Sequence, residues 1–128
     1  MKIAVIIVRV LMGLMFLQAS LFFFLKMTPA QPEMSNDIMT YMAGLNVGHT
    51  LEIIKGVELL SAICFLAGRY VALAAIVLFP ITVNILLYHI VLDPSNMLLA
   101  VLIFAAHVFL LYAYQKNYAG MLKPQRVA

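Results

Sequence analysis

Hydrophobic positions along this chain come in long unbroken runs rather than in the short periodic stretches of a water-soluble domain. Four such runs fill most of the 128 residues: roughly Ile3 to Leu25, Thr50 to Ala67, Tyr70 to Leu92 and Met97 to Tyr114. Each has about 18 to 23 residues, close to the ~20 that carry a helix across the ~30 Å hydrocarbon layer of a bilayer. The pattern predicts an all-α membrane protein, a four-transmembrane-helix bundle. No linker, repeat or low-complexity tract divides it, so residues 1–128 read as a single domain. The first run starts after Lys2 like a signal peptide. It continues through Phe22, Phe23 and Phe24 past any small-residue cleavage site, which reads as a retained helix.

The polar breaks between runs are unequal. Gly68-Arg69 suits a left-handed helix cap followed by an interfacial cation, so the second and third helices are expected to be antiparallel neighbours. Asp93-Pro94-Ser95-Asn96 makes a second tight turn, with Ser95 or Asn96 available to cap the last helix. The first break, about Lys26 to His49, is longer. It opens with Thr28-Pro29-Ala30-Gln31-Pro32, which is extended in character. After the potential caps Ser35, Asn36 and Asp37, the residues Ile38, Met42 and Leu45 recur at helical spacing, with Gly44 and Gly48 as stops. A short external interfacial helix is expected there, on the outer surface or folded over the mouth of the bundle.

Composition agrees with the pattern: 66% of residues are hydrophobic and 10% charged, where a soluble domain carries about a quarter charged residues. The net charge of +3 acts as a topology signal, and no nucleic-acid partner is implied. Threaded four times, the chain puts Lys2, Arg69, Lys116, Lys123 and Arg126 on one side and Lys26 on the other. This bias places both termini in the cytoplasm. The acids Glu33, Asp37 and Asp93 fall on the outer side. The single cysteine, Cys64, excludes a dithiol mechanism within one subunit.

Some of these residues resemble a known family. The run Phe79-Pro80-Ile81-Thr82-Val83-Asn84-Ile85, then Tyr88-His89 and Asp93-Pro94, is similar to a signature of the DoxX-like family of small four-helix bacterial membrane proteins. Arg9, Gly13 and Phe16 look like its first-helix motif. Pro29 and Pro32 fit the proline-containing loop of one branch, and Glu58 with Gly68-Arg69 looks like its second helix and turn. Ser20 and Phe23 stand where many members have glycine and lysine, so no role for that lysine carries over. The resemblance implies a multi-pass protein of the cell inner membrane, related by family name to a subunit of thiosulfate:quinone oxidoreductases.

Charged side chains inside a membrane helix need a reason, because each costs at least ~2.5 to 3.5 kcal/mol near the bilayer centre. Arg9, Glu52, Lys55, Glu58 and His107 are the candidates. Glu52, Lys55 and Glu58 are spaced by three, so consecutive members lie one turn apart. Arg9 is about 9 Å into the first helix from the cytoplasm and Glu58 about 13 Å into the second from outside, which suggests a structural ion pair between them. Gly13 and Ser20 share the face of Arg9, a small-residue stripe that permits close approach of a neighbour. The alternative is that these charges wall a polar cavity for a ligand, an ion or a proton.

Pro80 predicts a kink in the third helix, and Asn84 and Tyr88 share a face one turn apart beyond it. A ligand-binding pocket in the outer half is expected from Glu52, Lys55, Asn84 and Tyr88, with Glu58 at its floor. His89 and His107 are candidate proton-active groups, set against the plainer reading of hydrogen-bonded interfacial and packing histidines. Histidines and cysteine occur singly, so no metal site is expected.

Three functions fit this reading. One is an accessory or quinone-interacting subunit of a membrane redox system, with a quinone-like lipid as cofactor and redox subunits as partners. The second is a small-solute or ion carrier acting as a homo-oligomer. The third is a structural assembly partner. Whether the chain is an enzyme is left open by its sequence, and the lipid bilayer is its one certain surrounding.

Overall fold

A computed structural model of the chain describes residues 1–27 and 34–124. The extended Thr28 to Pro32 segment, Glu33 and Arg126, all singled out from the sequence, lie outside the described residues. Among the described residues every regular element is helical: α1 (Lys2–Phe24), α2 (Asn36–Val47), α3 (Thr50–Ala67), α4 (Val71–Val91), α5 (Met97–Ala113) and a short α6 (Gln115–Tyr118), with one 3-10 turn (Pro94–Asn96) before α5.

Three stretches are long and apolar enough to cross a membrane: Lys2–Phe24, Val71–Val91 and Pro94–Ala113. The expectation of four is met only in part on this ground. At 18 residues α3 is long enough, but it carries Glu52, Lys55 and Glu58 and so is not apolar enough by composition.

The four long helices form a ring in which α1 packs on α3, α3 on α4, α4 on α5, and α5 back on α1. The closest seam is α1 against α3. A Cβ added to Gly13 would stand 2.9 Å from Leu66 Cγ and 3.2 Å from Phe65 Cβ. Glycine is therefore what lets the two backbones approach, as the small-residue stripe suggested. Arg9, one turn earlier, lies over Gly68, which fixes the two helices as antiparallel.

Gly68 ends α3 in the left-handed region at φ +71°, where a side chain would be strained. Its amide and that of Arg69 both donate to the Cys64 carbonyl, at 3.0 and 3.3 Å. At the other turn, Ser95 and Asn96 donate to the Asp93 carboxylate at 2.5 and 3.0 Å. Neither side chain caps α5; both are turned back to the Asp93 carboxylate as donors instead.

The core is densest in the half of the ring near the two termini. Phe16, Phe65, Leu78 and Leu110 are buried there. At that end Met1 and Lys2 share a groove with Ala113 and Tyr114. The Tyr118 hydroxyl donates to the Ala72 carbonyl at 2.7 Å, tying α6 to the start of α4. Burial, and after it the neighbouring Tyr114, pushes the Tyr118 phenol up from its ordinary value. The outer surfaces of all four long helices are apolar: Leu11, Ile53, Leu60, Leu73 and Leu102 are each more than half exposed. Side chains of this kind exposed around a whole bundle require an apolar solvent.

Candidate functional site

The short helix α2 starts as the sequence suggests, with the Ser35 hydroxyl accepting from the Ile38 amide at 3.3 Å. It ends at Gly48, while Gly44 lies inside it. Ile38, Tyr41, Met42 and Leu45 are its half-buried positions and no residue of it is fully buried. The helix lies over the end of the ring where α1 and α4 finish, resting mainly on α3.

Beneath α2 is a cavity of about 410 Å³. Its walls come from Ala19, Phe22 and Phe23 of α1, from Leu51, Ile54, Lys55 and Glu58 of α3, and from Ile81, Asn84, Ile85, Tyr88 and His89 of α4. Tyr41, Met42 and Leu45 roof it, and α5 contributes nothing to the lining. The walls are mostly apolar, with a few polar groups at fixed places, which is the usual make-up of a small-molecule site.

Those polar groups are held by local bonds. Lys55 Nζ donates to Glu58 Oε2 at 3.1 Å across one helical turn. Glu58 is 2% exposed and Lys55 half-buried, so the carboxyl at the floor of the cavity has its partner on the same helix. Asn84 Nδ2 donates to the Tyr41 hydroxyl at 2.8 Å, joining α4 to the roof. The Tyr41 and Tyr88 rings lie 5.4 Å apart. His89 Nδ1 is 2.8 Å from the Ile85 carbonyl. A carbonyl only accepts, so Nδ1 carries the proton and Nε2 is the nitrogen available to a ligand.

The structure thus brings Lys55, Glu58, Asn84 and Tyr88 to one cavity and adds His89, which helical phase alone set well away from Asn84. Glu52 is outside it. That carboxylate is exposed on the first turn of α3 and lies 3.4 Å from His49 Nδ1. The phase of α3 explains the difference, because Glu52 and Glu58 are six residues apart and point to different sides of the helix.

The expected pair between Arg9 and Glu58 is also corrected. Arg9 stands level with Gly68, ten residues and about 15 Å along α3 from Glu58. Its guanidinium lies over the carboxyl end of α3, where the helix dipole favours a cation. Arg9 Nε is buried without a hydrogen-bond partner. Among the described residues, Glu58 has Lys55 as its ion-pair partner.

His107 lies apart from the cavity in the packed core. Its Nε2 is 2.8 Å from the Ala75 carbonyl and its Nδ1 2.8 Å from the Thr82 hydroxyl. The carbonyl fixes the proton on Nε2, so Nδ1 accepts from Thr82. The single hydroxyl proton then leaves the longer 3.4 Å approach of Thr82 to the Leu78 carbonyl unused. Both ring nitrogens are satisfied in the neutral form. This arrangement joins α5 to α4 at Ala75 and Thr82, on either side of Pro80, through which α4 runs unbroken.

Tyr41 is the site residue that sequence reasoning missed. With Ile38, Met42 and Leu45 it completes the i, i+3, i+4, i+7 face of an amphipathic helix, so the signal was present. Comparison of the chain with protein-family models, curated proteins and solved structures finds no match.

Proposed function

We propose that this chain is a four-span protein of the bacterial inner membrane, with both termini in the cytoplasm, that binds a quinone-like small molecule beneath α2. It would serve as an accessory, quinone-interacting subunit of a membrane redox system. The observation that carries this reading is the 410 Å³ cavity itself, an apolar chamber with the Lys55–Glu58 pair at its floor and Asn84, Tyr88 and His89 on one wall. A planar head group with two carbonyl oxygens suits such a site, since Lys55 Nζ and the Tyr88 hydroxyl can donate to those oxygens and His89 Nε2 can accept from a hydroxyl of the reduced form. The quinone class rests on the resemblance to the DoxX-like family.

Connectivity supports α3 as the fourth span. The starts of α1 and α4 and the end of α5 lie at one end of the ring, related by the groove that Lys2 shares with Tyr114 and by the hydrogen bond from Tyr118 to Ala72. Since α1 ends at the opposite end, the chain must return through the apolar layer before α4 begins. The exposed face of α3, with Ile53, Leu60 and Ile63, is as apolar as its neighbours. Its charges are met within the bundle or at its edge. Lys2, Arg69, Lys116 and Lys123 gather at the end near the termini, the cytoplasmic end under the rule of basic residues inside.

The carrier reading is less well supported, because the cavity is confined to the outer half. Beyond Glu58 the ring is filled by Phe16, Phe65, Leu78 and Leu110, which close the cavity inward among the described residues. The test is to purify the protein in mild detergent, extract it with organic solvent and identify retained molecules by mass spectrometry. A quinone retained by the wild type and lost from Asn84→Leu supports the proposal. Wild-type protein that retains none and shows no thermal stabilisation by a short-chain benzoquinone overturns it.

A further inference from the structure

A second hollow, of about 210 Å³, adjoins the cavity. It is lined by Tyr41, Asn84 and Tyr88, all three of which also line the cavity, and by Leu87, Val91 and Leu92 further around α4. Leu87 and Val91 are 56% and 64% exposed, so this hollow opens on the outer, membrane-facing side of α4. The wall between the two spaces is thus the Tyr41–Asn84 hydrogen bond with the Tyr88 ring beside it. Among the described residues, one hydrogen bond and a tilted ring contact hold this wall, and α2, which carries Tyr41, has no fully buried residue to anchor it.

We infer that the ligand is a single-chain amphiphile: its head lies over Lys55 and Glu58, and its hydrocarbon chain leaves the bundle beneath α2, past Tyr41 and Asn84, into the Leu87–Val91–Leu92 hollow. The same passage is the entry route from the outer leaflet. This rests on the ligand-binding reading above and extends it to the shape of the ligand and the side from which it comes. The chain exchanges lipid tails for an equally apolar protein surface, so the hollow fixes direction and route while contributing little affinity. Opening the wall requires only that Tyr41 swing with α2. The half-buried face of α2 is small, and His49 already holds the left-handed conformation, φ +55°, at its junction with α3. Hinges of this kind sit at the ends of elements.

Photolabelling of the full chain in nanodiscs tests the inference with two probes. One is a benzoquinone bearing a decyl chain with a diazirine at the chain end, and the other carries the diazirine on the head. The head probe is expected to label the α1, α3 and α4 walls of the cavity. The chain probe is expected to label Tyr41 and residues 87–92, and unlabelled decyl-benzoquinone should abolish both. Leu87→Trp, a change at an exposed position that fills the hollow, should remove the chain adducts at 91–92 and leave the head adducts. Head adducts in the cavity with chain adducts spread evenly over the lipid faces of α1, α3 and α5 overturn the portal while sparing the cavity. Absence of competed head adducts from the cavity overturns the cavity reading and the portal with it.

Discussion

At the scale of single residues, what distinguishes this chain from an inert apolar bundle is how its buried polar groups find partners, with Arg9 Nε as the exception among the described residues. His107 is satisfied on both nitrogens by Thr82 and the Ala75 carbonyl, a bridge between α4 and α5 that stands apart from the cavity lining. Replacing Thr82 by valine keeps the shape but leaves Nδ1 without a donor, which costs about 1 to 3 kcal/mol for a buried acceptor. Thr82→Val should therefore lower the thermal midpoint in detergent while quinone binding is unchanged. Asp93, outside the spans, behaves differently. Hydrogen bonds from Ser95 and then Asn96 hold its carboxyl below the ordinary 3.8. A carboxyl lowered on folding contributes stability above its unfolded value, and that contribution disappears as pH falls through the native value. Ser95→Ala should shift the Asp93 titration upward toward 3.8, as read by carboxyl-carbon NMR, and an unmoved titration would show that the turn is not formed.

At the scale of elements, the seam between α1 and α3 decides which charges meet. Gly13 against Phe65 and Leu66 sets the register, so Arg9 falls at Gly68 and Ser20 falls near the level of Glu58. Two consequences can be measured in one set of variants. Lys55→Met leaves Glu58 buried and unpaired, which costs about 3 to 5 kcal/mol. Arg9→Met removes a cation from the carboxyl end of α3, worth about 0.3 to 1 kcal/mol. Because Arg9 and Glu58 do not touch, their effects should add to within about 0.5 kcal/mol in the double variant Arg9→Met/Glu58→Gln. A coupling well above that, from thermal denaturation of the two singles and the double, would restore the pair that depth alone suggested. The error in that pairing has a physical source. Rise per residue gives the depth of Arg9 and Glu58 from opposite faces, but not the sliding register of two helices, which side-chain packing at Gly13 sets. The ends of α2 and the turn at Gly68 were legible because caps and left-handed positions leave local residue signatures. Tyr41 on Asn84 was not, since a contact between residues 43 positions apart leaves no local trace.

At the scale of the whole molecule, the proposal of four crossings rests on where the ends lie. If α1, α4 and α5 alone spanned the bilayer, the two termini would lie on opposite faces and Arg69 and Asp93 would exchange sides. Four crossings return the chain to its starting face, put Arg69 with Lys2 and Lys116, and leave Lys26 as the one basic residue outside, which matches the preference for basic residues in the cytoplasm. The three charges of α3 make that crossing costly in isolation, but two of them neutralise each other at 3.1 Å and Glu52 reaches the surface beside His49. The helix can therefore enter as the packed partner of α1 rather than on its own hydropathy. Single cysteines in a Cys64→Ser background distinguish the two arrangements, read by a membrane-impermeant maleimide added to intact spheroplasts. Asp93→Cys should be labelled from outside, whereas Arg69→Cys and Lys116→Cys should be labelled only after lysis. Labelling of Arg69→Cys in intact cells, with Asp93→Cys protected, would reduce the crossings to three and would put the cavity beneath α2 outside the membrane bundle on which its proposed ligand depends.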